Sequence, residues 1–203
     1  MAALMYYKAT RPDATSFHDG TTLWQVGRIV RHPSPNLGLG LCSAGCLHVS
    51  DAPGETLVGG SWPCRLFEVE PRGDMIGSED HKYGCTVVKV VRELPAWQAL
   101  GPNGEAVAAS IERCKTLTHD EAKRLDTAGA AAWDAPWYAA WYAAWAASHG
   151  AARYAARYAA WYAAWDAAWY AAWDAARALM VKDLITPEQF EILYGPWASV
   201  MGS

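Results

Sequence analysis

Between Trp133 and Arg177 a bulky residue returns every fourth position against a background of alanine. The series is Trp133, Trp137, Trp141 and Trp145, then His149, Arg153 and Arg157, then Trp161, Trp165, Trp169, Trp173 and Arg177. Alanine is the strongest helix former, and four residues turn an α-helix by roughly 400°, so successive members of the series fall on nearly the same face. The pattern predicts a helical segment over 119–185. Tyrosine sits about 100° from tryptophan and alanine covers the remaining arc, giving each helix a broad aromatic side and a narrow side of small residues. The Ser-His-Gly at 148–150 marks a break, glycine being the residue most used at helix C-termini. Pro136 removes an amide donor and predicts a kink. Two arms result, 119–148 and 151–183, and their alanine faces permit an antiparallel hairpin about Gly150 with i±4 ridges in contact.

The polar residues flanking this segment punctuate it. Thr118 with Glu121 three places on is a capping box, and Thr186 with Pro187 and Gln189 is a second. The latter opens a short helix, PEQFEILY, expected to end at Gly195-Pro196. From Tyr6 to Leu94 the pattern changes to short runs rich in β-branched and aromatic residues: YYKAT, TLWQVGRIV, LGLGL, CLHVS, CRLFEVE and TVVKVVREL. They are separated by turn-forming clusters such as RPDATSFHDG, RHPSPN, DAPGE, PRGD and GSEDHKYG. TVVKVVREL reads as a strand buried on most of its surface and stopped by Pro95. The expected class is α+β: a β-rich domain over 1–97, a connector over 98–118 that contains either a short helix or a strand, the repeat helices over 119–185, and a short helix and tail over 186–203.

Composition narrows the function. A chain of 203 residues holds one domain with an extension or two small domains, and 52% hydrophobic content is ample for a core, although much of it is the alanine and tryptophan of the repeat. The net charge of −4 argues against general affinity for nucleic acid or anionic membranes, which requires an excess of lysine and arginine. Within the repeat the charges cancel, Asp134, Asp166 and Asp174 against Arg153, Arg157 and Arg177. The stretch Ala135 to Ala147 is too short to span a bilayer. Five cysteines, an odd number, after an N-terminal segment that does not read as a secretory leader point to reduced thiols in a cytoplasm.

The ladder itself is the leading candidate for function. Trp137, Trp141, Trp145, Arg153, Arg157, Trp161, Trp165, Trp169 and Trp173 form an expected interaction face, because tryptophan, tyrosine and arginine dominate interface energetics. Indoles at this spacing expose more apolar area than a monomer tolerates, so the rest of the chain, a second copy or another protein must cover them. Self-association is the expected partnership. Candidate chemistry elsewhere is sparse. Cys42, Cys46 and His48 in CSAGCLH resemble metal ligands, but Cys64, Cys85 and Cys114 are isolated and do not supply the second close pair of a structural zinc site. No nucleophile elbow and no phosphate-binding glycine motif in strand-to-helix context is present, and no cofactor or metal is expected.

The succession YYKAT, T-L-W-x-V-G, LCSAG-C-LHVS, RLFEVEPRGD and TVVKVVREL resembles an uncharacterised domain of tailed-phage and prophage accessory proteins, and the ending ITPEQFEILYGPWASVM is of the same style. The resemblance covers about residues 6–94 and the tail, and Cys46 departs from the pattern by standing between Gly45 and Leu47. It implies an accessory protein of unknown activity, acting in the cytoplasm of a host cell or in a virion, with a host or virion protein as a possible partner. The order of strands and the His48 turn also resemble ADP-ribosyltransferases. That resemblance implies an enzyme, or a nucleotide-binding protein, using the N-terminal domain, in which His48 binds ribose or nicotinamide and, in the enzyme, Glu93 steadies a developing oxocarbenium charge. It requires both side chains to face one cleft.

Overall fold

The computed structural model describes residues 5–41, 43–79, 81–147, 151–164 and 168–202. The chain divides into two compact units, Met1–Gly101 and Pro102–Ser203. The first is a seven-stranded antiparallel sheet and the second a set of helices, an α+β protein.

In the first unit the strands are β1 (Tyr6–Thr10), β2 (Ile29–Arg31), β3 (Leu47–Ser50), β4 (Arg65–Pro71), β5 (Met75–Glu79), β6 (Lys82–Cys85) and β7 (Val87–Leu94). Their order across the sheet is β2-β7-β4-β1-β3-β6-β5. The alternation expected of half-buried strands places Tyr6, Leu47, Val49, Phe67, Val69, Val88 and Val90 in one core with Trp24. The Trp24 indole N–H donates to Ser16 Oγ at 2.8 Å, which satisfies the one polar atom that this large side chain carries into the interior.

Sequence and structure part in four places here: of TLWQVGRIV only Ile29 and Val30 lie in a strand, and three further segments differ. LGLGL does not form a strand; Leu37–Leu39 is a single 3-10 turn capped by Asn36. The cluster GSEDHKYG, which reads as a turn, supplies much of β5 and β6. β6 pairs with β3 and β5 pairs with β6, so β6 is held in the sheet by a tertiary pairing that local composition does not carry. β7 is buried at Val88 and Val90, whereas Val91, Arg92 and Glu93 are exposed. Only its first residues lie between two strands, since β2 pairs with no more than Val87 to Lys89.

The second unit consists of α1 (Gly104–Cys114), α2 (His119–Ala132), α3 (Ala135–Ala147), α4 (Ala151–Ala163), α5 (Trp169–Met180) and α6 (Pro187–Met201). The connector residues are thus divided between units, and α1 packs on α4 and α5. Both capping boxes form. Thr118 Oγ1 accepts from the Glu121 amide at 3.2 Å, and the Glu121 carboxylate accepts from the Thr118 amide at 2.9 Å. Thr186 and Gln189 repeat the arrangement at the start of α6. Glu121 also accepts from Arg113 at 2.6 Å and so ties α2 to α1. Thr118→Ala is expected to cost about 1 kcal/mol; thermal denaturation checks this, and an unchanged midpoint would show that the cap contributes nothing.

The helices break where aromatic spacing alone does not foretell it. The first arm is interrupted at Trp133-Asp134 and is not merely bent at Pro136. Asp134 Oδ1 accepts from the Trp137 amide at 3.0 Å and caps α3, which leaves Pro136 in the first turn, where its missing donor is harmless. The second arm is two helices, α4 and α5, that pack on each other. α3 makes its extensive contacts with α6, so the expected pairing of two arms about Gly150 gives way to a bundle; the 148–150 turn itself lies outside the described residues. The last helix does not end at Gly195-Pro196 but continues through Pro196 to Met201. Leu193 and Trp197, on either side of the proline, are buried in the bundle, and this burial offsets the lost hydrogen bond.

Candidate interaction face and aromatic cleft

The four-residue repeat predicts two faces, and the structure turns the alanine face inward. Ala155, Ala156 and Ala160 of α4 and Ala171, Ala172, Ala175 and Ala176 of α5 are buried, several of them completely. Small side chains let helices approach closely, and Ala168, Ala171, Ala172 and Ala175 pack in one cluster with Cys114, Leu125 and Trp197. Among the described residues, every ring of the ladder except Trp137 therefore lies at the edge of the bundle or outside it. Trp137 is buried, Trp141, Trp169 and Trp173 are half-buried, and Trp133 and Trp145 are exposed. Tyr138, Tyr142, Tyr154, Tyr158, Tyr162 and Tyr170 are all exposed. Of the expected interaction face, Trp165 lies outside the described residues, as do the side chains of Arg153, Arg157 and Trp161.

Part of the ladder closes into a cleft. Trp133 and Trp137 stand 5.5 Å apart between ring centroids, Trp137 and Trp141 6.3 Å, and Tyr170 from α5 meets Trp133 edge-on at 5.0 Å. These rings, with Tyr138, Tyr142 and Trp173, line an open cleft of about 280 Å³. Asp174 also lines it and is 7% exposed. Burial raises its carboxyl to about 7, opposed by the nearby Arg177 and by a hydrogen bond from the Trp137 indole. Arg177, only 4% exposed, lies over Trp141 at 4.7 Å and Trp173 at 5.5 Å, a guanidinium held against two indole faces. Asp174 and Arg177 are visible in the sequence only as ladder charges. Their i,i+3 spacing puts them on one face of α5, but which face is buried depends on how the bundle packs.

The first unit has a different concavity, about 320 Å³, bordered by Lys8, His18, Ser43, His48, Ser50 and Lys82. It opens where β1 and β3 part, Tyr7 and Ser50 being the one pair held in register. Burial pushes Lys8 down to about 8 and His48 to about 4. His48 Nε2 contacts the Leu41 carbonyl oxygen and lies 3.6 Å from Cys46 Sγ. Cys42, the third residue of that expected trio, lies outside the described residues, and no cluster suited to a metal occurs among those described.

His48 and Glu93 are not brought together. Tyr7 registers with Ser50 and with Glu68, and Glu68 with Arg92, which puts His48, two residues before Ser50, on the same face as these residues. Glu93 follows Arg92 and points to the other face, opposite Phe67. Its carboxylate is bound by Arg65 through two hydrogen bonds of 2.8 and 2.6 Å, which hold its pKa below the ordinary value. The one-cleft requirement of the enzyme reading is not met.

Among the described residues no helix is long and apolar enough to cross a membrane. Comparison with protein-family models, with curated proteins and with solved structures gives no match to this chain.

Proposed function

We propose that this chain is a non-enzymatic accessory protein that self-associates through the tyrosine ridge of its helical unit. The observation that carries the reading is on α4, where Tyr154, Tyr158 and Tyr162 recur every fourth residue with 50%, 47% and 83% exposure above the buried Ala155, Ala156 and Ala160. Tyr158 and Tyr162 stack at 6.5 Å, forming a continuous aromatic ridge. Ridges along i±4 rows seat in the grooves between equal ridges, so a second copy presents a complementary surface. Tyrosine suits such a surface because it contributes large rigid area at small entropic cost while its hydroxyl stays wet. The cancelling charges of the repeat favour a second copy over nucleic acid, since they supply no positive field for phosphates. The resemblance of residues 6–94 to phage accessory domains supports a working place in the cytoplasm of a host cell or in a virion.

Sedimentation of the full chain is expected to show an oligomer. In the triple variant Tyr154→Ser, Tyr158→Ser, Tyr162→Ser, association weakens by about a hundredfold or more, given that buried tyrosine anchors typically carry most of an interface's energy. Helix content by circular dichroism stays unchanged in that variant, because the three side chains are already exposed. A monomeric parent, or an oligomer that survives the triple change, overturns the reading. Loss of binding to a host or virion protein without any change in mass would point to that partner and against a second copy.

A further inference from the structure

We infer that the aromatic cleft between α3 and α5 is a binding site for a small alkylated ammonium cation, an inference that goes beyond self-association and uses a different surface. The cavity is built from Trp133, Trp137, Trp141, Tyr170 and Trp173, with Asp174 as the charged side chain in its wall. Aromatic faces carry the negative part of a quadrupole and attract cations, most strongly where water is excluded. The same walls already hold a cation of the protein itself, since the Arg177 guanidinium rests on Trp141 and Trp173. Arg177 does not border the cavity, and Asp174, fixed by the Trp137 indole N–H, does.

Size and polarity choose among cations. At about 280 Å³ the cavity falls just below the range typical of drug-sized ligands, which selects a compact guest. A primary ammonium has three donors to satisfy, and carbon-rich walls with one carboxylate cannot replace its water shell. A tertiary or quaternary ammonium carries its charge on methyl or methylene surface and asks for one acceptor at most. Such a group occurs in free metabolites of the choline type and on methylated lysine side chains, and the two sources share this chemistry.

The test is a titration of the intact protein with choline, with a trimethyllysine peptide, and with 3,3-dimethylbutanol, the neutral carbon analogue of choline, followed by calorimetry and by the indole N–H resonances. At about pH 8.5 Asp174 is largely ionised, its carboxyl being held at about 7. The ammonium ligands are expected to saturate and to bind at least about tenfold more tightly than the neutral analogue. Preference between the free and the peptide ligand identifies the source. Asp174→Asn, which keeps an oxygen for the Trp137 N–H, and Tyr170→Leu, at a partly exposed ring, are each expected to weaken binding by about tenfold while helix content is retained. Equal binding of the neutral analogue, or no saturation by either ammonium ligand, overturns the inference. Repeating the titration in the triple tyrosine variant separates the two readings, because the cleft binds its ligand there whether or not association is lost.

Discussion

Ala172→Leu and Ala175→Leu are each expected to destabilise the helical unit by roughly 2–3 kcal/mol, the upper end of the range for overpacked cores. Both alanines are fully buried, in a cluster with Cys114, Leu125 and Trp197. A leucine at either place adds three carbon atoms to an interface whose closeness depends on their absence, and the surrounding helices must move apart. Tyr162→Ala, at the most exposed ring among the described residues of the ladder, is expected to change the stability of the dissociated chain by no more than about 0.5 kcal/mol. The contrast is the informative part, because it reverses the usual ranking in which the large aromatic is the costly residue to alter. Whole domains are stable by only about 5–15 kcal/mol, so the double leucine variant is expected to lose most of its cooperative transition. Urea denaturation followed by far-ultraviolet circular dichroism measures the four variants against the parent. If the leucine variants matched the parent while Tyr162→Ala unfolded, the inward face would have to be the aromatic one.

Asp174 provides a second large effect, visible in the pH dependence of stability. Burial raises its carboxyl from an ordinary 3.8 to about 7, with Arg177 and the Trp137 indole pulling in the opposite direction. Below about pH 4 folded and unfolded chains both carry the proton, and between about 4 and 7 only the folded chain does. The favourable contribution of this group is therefore complete at low pH and is lost as pH rises through the folded value. Three pKa units correspond to about 4 kcal/mol. In Asp174→Asn the side chain is neutral at every pH and still offers an oxygen to Trp137. The variant is expected to match the parent at about pH 4 and to exceed it by about 4 kcal/mol at about pH 8. Glu93 and Glu121 have lowered pKa values and work in the other direction, but they are common to both proteins and cancel in the difference. A stability difference that stayed flat across this interval would show that Asp174 is not desolvated.

Much of the helical unit is legible in the amino-acid order because its signals are local. Thr118 with Glu121 and Thr186 with Gln189 cap helices by contacts that span three residues, and both boxes form as read. Alanine content and four-residue spacing likewise act within a helix and account for the helical residues of α3, α4 and α5, but not for where these helices end. The cleft was less accessible. Trp137, Trp141 and Trp173 belong to the ladder by spacing, but their meeting with Tyr170 and Asp174 requires α3 and α5 to lie near each other. The hairpin of β5 and β6 was hidden for a similar reason, since it joins the sheet through β6, whose partner β3 is more than 30 residues away in sequence. Opposite placement of His48 and Glu93 also depends on register across four strands, which no stretch of either strand encodes alone.

By itself the sequence determined that residues beyond about 118 are mainly helical, where two of the helices start, and that the helices of the repeat carry one face of rings and one of methyl groups, since all of this follows from capping, backbone propensity and a fixed angle per residue. Tertiary structure alone decided which face goes inside. Both faces are apolar, so burial of area favours either, and the choice falls to how near several helices can come to one another. Alanine permits the closer approach, and of the described rings of the ladder all but Trp137 are left to the edge.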